Sequence, residues 1–234
     1  MMFKIFSIKK YNSGVTLVEL IVVIFIFVLM SGVILFNYDK FRSQTSLQNL
    51  ADDVALSVRK AQSYAIGVHK SSNVFDIGYG IHFSLNPITE NYSGSRKLFV
   101  LFADVNPNNT YDYATGSKTC LNPDSKNECL EAFSITSADQ IQVVFLGING
   151  KEQKIGEKDS IDIVFNRPNP EPIFCHRKEG SDGGLGGPIP ADGGSSSSCE
   201  KVIISYVKIL ISNISDDTIS KIITVWNNGQ ISVS

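Results

Sequence analysis

Residues 15–36 form an apolar run of 22 residues interrupted by one charge, Glu19. At about 1.5 Å per residue, a helix of that length crosses a hydrocarbon core of roughly 30 Å. A carboxylate inside such a span costs about 3 kcal/mol or more and is usually kept for a partner. Lys4, Lys9 and Lys10 precede the run, and no acid occurs before Glu19. That bias places the N-terminus in the cytoplasm and everything after residue 36 outside it. A secretory signal peptide would have an apolar core of roughly 7–15 residues and a small-residue cleavage site. This run is longer and has no such site, while an ordinary single-span anchor gives no reason to keep Glu19.

The helical pattern continues past the apolar run. No proline occurs between residues 37 and 67, and Phe41, Leu47, Leu50, Val54, Val58, Ala61 and Ala65 recur at spacings of three, four and six. The last five make one narrow stripe, with Asp52, Asp53, Arg59 and Lys60 on a solvated face. Gly67 is a stop signal, so the helix is expected to extend from Val15 to about Gly67, roughly 80 Å. Next, Phe75, Ile77, Tyr79, Ile81 and Phe83 alternate with Asp76, Gly78, Gly80 and His82. That is a period-two strand with one buried face, which leaves His82 facing solvent. Further strands are expected at 97–103, 130–135, 141–148, 160–165, 172–175, 201–212, 218–226 and 230–233, the last two joined by a hairpin at Asn228-Gly229. The fold class is α+β: a long N-terminal helix, its first half transmembrane, packed against an antiparallel β-rich head.

Ser13-Gly14-Val15-Thr16-Leu17-Val18-Glu19-Leu20, behind a short basic leader, resembles the processing segment of type IV pilins and type II secretion pseudopilins. The resemblance implies that prepilin peptidase cuts after Gly14 and N-methylates Val15, and that Glu19 serves filament assembly. The family usually begins its mature chain with Phe, so Val15 is a departure. Residues 50–65, the segment Gly78-Tyr79-Gly80-Ile81-His82-Phe83 and the closing Asn228-Gly229-Gln230-Ile231-Ser232-Val233 look most like the H/FimT-like minor pseudopilins. Residues 106–198 match nothing nameable. The expected organisation is a leader at 1–14, a helix at 15–70 and an extracytoplasmic head at 71–234, with a mobile loop at 180–198.

Four cysteines in a segment placed outside the cytoplasm point to disulfides. They permit three connectivities; pairing Cys120 with Cys129 and Cys175 with Cys199 closes one polar loop each. A zinc site is the alternative, but no C-x-x-C pair exists and only His176 adjoins a cysteine. Asp104, Asn106, Asn108 and Asp112 place oxygen ligands in a pattern like the first half of a calcium loop. Asn109 stands where such loops have glycine and Thr115 where they have the bidentate glutamate, so an Asx-rich turn is the favoured reading and calcium the weaker one. No other cofactor is expected.

No catalytic motif appears: His69, His82 and His176 are scattered, and there is no G-x-S-x-G or phosphate loop. Trp226 reads as core or edge packing. A non-enzymatic subunit is expected. Loss of residues 1–14 removes three lysines and leaves 18 Lys and Arg against 23 Asp and Glu, a net charge of −5. That acidic balance disfavours nucleic acid as a partner. The expected role is a minor pilin or pseudopilin in a type IV pilus or type II secretion pseudopilus, at initiation or at the tip. Its partners would be prepilin peptidase, other pilin subunits through the helix and, indirectly, the assembly platform and ATPase. The location is the cytoplasmic membrane, single-pass with the head outside, and then a periplasmic or surface filament. Alternatives are a DNA-capturing FimT-like minor pilin and a membrane-anchored adhesive or sensory module outside any filament.

Overall fold

The computed structural model describes residues 14–67, 77–86, 95–113, 120, 127–178, 203–214 and 218–234, without the side chains at 34, 36, 37 and 39. The chain divides into two compact units, Met1–Arg42 and Ser43–Ser234. Helix α1, Leu17–Ile66, contributes to both. In the first unit the helix exposes large apolar side chains on all sides, among them Ile21, Phe25 and Phe27, which are 56, 62 and 70 % exposed. Among the described residues no helix is long and apolar enough to cross a membrane, and the unbroken run of described side chains in this stretch stops at Val33.

In the second unit α1 turns amphipathic. Leu47, Leu50, Val54, Val58, Ala61 and Ala65 are buried, joined by Ala51 and Ala55, so the apolar face is wider than the sequence stripe. Small residues along it let strands approach the helix axis closely. The helix ends at Gly67, whose amide donates to the Ser63 carbonyl at 2.8 Å and whose carbonyl accepts from the Arg167 guanidinium.

The strands are β1 Gly78–Ser84, β2 Leu98–Asp104, β3 Cys129–Ser134, β4 Asp139–Ile148, β5 Lys151–Lys154, β6 Ser160–Phe165, β7 Pro172–Arg177, β8 Ile204–Asn213, β9 Ser220–Trp226 and β10 Ile231–Val233. They form two antiparallel five-stranded sheets, β3-β2-β1-β6-β7 and β10-β9-β8-β4-β5. Every expected strand is present, and β5 is an addition: its four side chains are all exposed and carry no apolar signal. The Asn228-Gly229 turn joins β9 to β10 with Val225 opposite Ile231, and Gly229 takes a φ of +82° that a side chain would strain. One core unites the helix stripe with Tyr79, Ile81, Phe83, Phe99 and Leu101 of the first sheet and Ile141, Val144, Ile209, Ile211 and Ile223 of the second.

The first sheet departs from the expected one-sided pattern, because every residue of β1 is buried. Val100 and Phe102 alternate with the core residues Phe99 and Leu101, so they project from the opposite face. There they pack with Tyr111, Cys129 and Val164 in a second, smaller cluster. His82 belongs to that second face: it is 1 % exposed rather than solvent-facing, because the chain after β2 brings Tyr111 over it, with ring centroids 4.9 Å apart.

Candidate functional site

Two places gather the residues that carry chemistry. The first is the start of α1. Thr16 Oγ1 accepts the Glu19 amide at 3.3 Å, and the Thr16 carbonyl accepts the Leu20 amide at 3.1 Å, so Thr16 is the N-cap. Glu19 is then three residues inside the cap, the acidic position of a capping box. A carboxylate there is favoured by the helix dipole, by about 0.3–1 kcal/mol when exposed. Gly14, Val15 and Glu19 are all exposed, and a Cβ on Gly14 would meet nothing within 4 Å. Among the described residues no cation pairs with Glu19. The arrangement is a single negative charge at the exposed end of an apolar rod.

The second place is the loop over the outer face of the first sheet. It brings Asp104, Asn106, Asn108 and Asp112 together as their spacing suggested, and adds Glu128. Asp104 accepts the amides of Asn108 at 3.1 Å and Asn109 at 2.9 Å. The Asp112 carboxylate accepts the side-chain amides of Asn106 and Asn108, each at 2.7 Å. Asn108 Oδ1 accepts the Thr110 amide and hydroxyl, both at 2.8 Å. The oxygens of Asp104, Asn108 and Asp112 are thus bonded to loop N–H and O–H donors, the pattern of an Asx-rich turn, while Asn106 Oδ1 is buried with no partner among the described residues. Among the described residues no group of three or more His, Cys, Asp and Glu side chains is arranged to hold a metal. Thr115 lies outside the described residues.

Glu128 is the anchor of this loop. It is fully buried and accepts three backbone amides: Val105 at 2.9 Å and Asn106 at 3.4 Å on one oxygen, Asp112 at 3.0 Å on the other. Burial pushes its carboxyl up to about 9; the carboxylates of Asp104 and Asp112 push the same way, against the amides that pull it down. Burial likewise raises Asp104 to about 6, opposed by the amides of Asn109 and Asn108. No periodicity or motif marked Glu128. Its only sequence signal is that it precedes Cys129, the end of a closed loop.

Beneath the loop lies a buried ion cluster. Asp162 meets His82 Nδ1 at 2.5 Å and Arg177 Nη2 at 3.0 Å, and it accepts the Tyr111 amide at 3.3 Å. Arg177 also donates to the Tyr111 carbonyl at 3.1 Å. Burial would raise the Asp162 carboxyl, but Arg177, His82 and the Tyr111 amide outweigh it and hold it below its usual value. With both side chains almost fully buried, the His82–Asp162 pair fastens the loop to the sheet and is closed to any substrate. His176, next to Cys175 in the chain, meets Asp159 at 2.9 Å.

Cys120 and Cys129 form a disulfide, with Cα atoms 4.7 Å apart, which closes the loop's far end. Cys175 is also disulfide-bonded; Cys199 and the segment 180–198 lie outside the described residues, as do His69 and the leader before Gly14. Trp226 sits at the exposed end of β9 against Tyr206, with ring centroids 5.0 Å apart, and Tyr206 lies flat over Gly147, where a Cβ would come within 2.4 Å of the ring. Trp226, on an interior strand, thus packs on its cross-strand neighbour's ring while staying partly exposed.

Residues 9–35 match the family described as the prokaryotic N-terminal methylation motif. The match encloses Gly14, Val15 and Glu19 and ends before the head. It supports the type IV pilin and pseudopilin family, and implies processing by prepilin peptidase and assembly with other pilin-type subunits. No curated protein and no solved structure matches the chain.

Proposed function

We propose that this chain is a minor pilin or pseudopilin, a structural subunit rather than an enzyme, built into a type IV pilus or type II secretion pseudopilus at initiation or at the tip. The observation that carries this reading is the methylation motif over residues 9–35 coinciding with a helix that exposes apolar side chains all round. With residues 34–36 included, the sequence supplies an apolar span of 22 residues from Val15, long enough to hold the precursor in the cytoplasmic membrane with its head outside. In this reading the leader is residues 1–14, the segment 15–70 carries helix α1 at Leu17–Ile66, and the head is residues 71–234. Prepilin peptidase cuts after Gly14 and methylates the Val15 amine.

Cleavage places a new amine four positions before Glu19. In a bundle of such helices, each carboxylate would pair with the amine of a neighbouring subunit. A charge that is costly in lipid then fixes axial register in the filament, a role for which buried polar groups have precedent. The disulfide and the acidic mature charge suit a head outside the cytoplasm.

Two measurements on the full chain in its native cell test this. Mass spectrometry of the N-terminus should find residue 15 first and methylated; an intact leader in the working protein overturns the proposal. Glu19→Ala should still insert in the membrane but fail to enter filaments. Normal incorporation would remove the register role.

A further inference from the structure

A polar cleft of about 350 Å³ opens where the ends of the two sheets meet, lined by Leu85, Arg96, Gln142, Val143, Lys154 and Glu157. That volume is at the lower end of small-molecule sites. We infer that this cleft binds a small hydroxylated carboxylate of sugar-acid size.

The sequence builds the site from a bulge. Ile141 faces Ile211 and Val143 faces Leu210, so Gln142 is the extra residue of β4 and has no partner across the ladder. Bulges re-aim a side chain at the cost of one ladder contact. Arg96 comes from the turn before β2. Its Nε donates to the Leu85 carbonyl at 3.1 Å, and its own carbonyl accepts the Ile141 amide at 2.9 Å. The guanidinium plane is thereby fixed, and its two Nη nitrogens have no described partner. Lys154 ends β5, exposed and likewise unpaired, and Glu157 stands in the turn that follows.

The lining therefore offers a held guanidinium fork, an ammonium, an amide and one carboxylate, none of them paired with another described residue. The fork and the ammonium suit a carboxylate, which Arg binds through two parallel N–H donors. Glu157 would repel a bare anion; it suits a ligand that also presents hydroxyl donors. The amide of Gln142 can give to or accept from such hydroxyls. One acid function with several hydroxyls on a ring answers all four groups. This inference concerns the head alone and stands independently of whether Gly14 is cleaved.

The test titrates the full chain in detergent micelles with glucuronate, glucose and cyclohexanecarboxylate, followed by calorimetry and by amide chemical shifts. Glucuronate should bind saturably and shift the amides of Gln142 and Val143. Glucose, without the acid, and cyclohexanecarboxylate, without the hydroxyls, should bind at least about tenfold more weakly. Lys154→Gln, at a side chain with no internal contact, should weaken glucuronate by at least about tenfold while leaving the melting curve in place. The inference is overturned by no saturable glucuronate binding, by either comparison compound binding as well, or by an unchanged affinity in Lys154→Gln.

Discussion

One helix carries two apolar stretches with opposite fates. Between Leu17 and Val33 large side chains such as Phe25 and Phe27 point outward on every side, whereas between Leu47 and Ala65 smaller ones lie under the sheets. The difference is one of pattern as well as of hydrophobicity. The first stretch is apolar around its whole circumference, so one partner face cannot cover it. The second restricts its apolar residues to one side, placing Asp52, Asp53 and Arg59 in water. A stretch covered from one side finds its cover in its own chain. A stretch apolar on all sides needs surroundings, lipid or other helices.

The sharpest way to break that contrast is to place a polar group in each stretch. Val58→Asp puts an unpaired carboxylate where exposure is 0 %, and the head should lose its cooperative melting transition, an effect above about 4 kcal/mol. Val28→Thr, in the all-round apolar stretch, should move that transition by less than about 0.5 kcal/mol. Equal effects at the two sites would erase the distinction. Next in size is Asp162→Asn. It strips the buried partner from Arg177 and His82 and should cost about 3–5 kcal/mol in chemical denaturation. A loss under 1 kcal/mol would mean that the loop is held by its apolar cluster and disulfide alone.

A smaller effect follows from Glu128 and Asp104. Both carboxyls titrate higher in the folded protein than in the unfolded chain. The native state therefore holds more protons than the unfolded state between the ordinary carboxylate range and about 6 for Asp104, or about 9 for Glu128. Stability from these groups is full below the unfolded values and declines as pH rises through those windows. The melting temperature of the full chain should fall between pH 5 and pH 8, and a rise would reverse the sign assigned to the cluster. The smallest expected effect is that of calcium. Since Asp104 and Asp112 are already bonded to loop amides, millimolar calcium should leave the melting temperature unchanged; an increase would show that Asn106 and Asn108 rotate their oxygens toward an ion.

The helix and most strands were legible because each is a short-range pattern: stripes at helical spacing, alternation at spacing two, a turn at Asn228-Gly229. What escaped was everything decided by distant chain. The alternation around His82 specified two faces of a strand, but nothing local announced that Tyr111 would cover the second face. Glu128 escaped for the same reason, since its three amide donors come from residues 16 to 23 positions earlier. Strand β5 escaped because Lys151-Glu152-Gln153-Lys154 has no buried face and exists only through its pairing with β4. In the loop at 104–112 the spacing showed which side chains would come together. What composition could not reveal was the direction of the Asn106 and Asn108 amides.

That charged border strand bears on the proposed assembly. β5 closes one side of the second sheet with two lysines and a glutamate, all in water. Like charges brought face to face there resist the backbone-to-backbone zippering by which bare sheet margins grow into fibres. If the subunit joins a filament as proposed, that flank would stay inert at high local density and leave the helix to make the contacts.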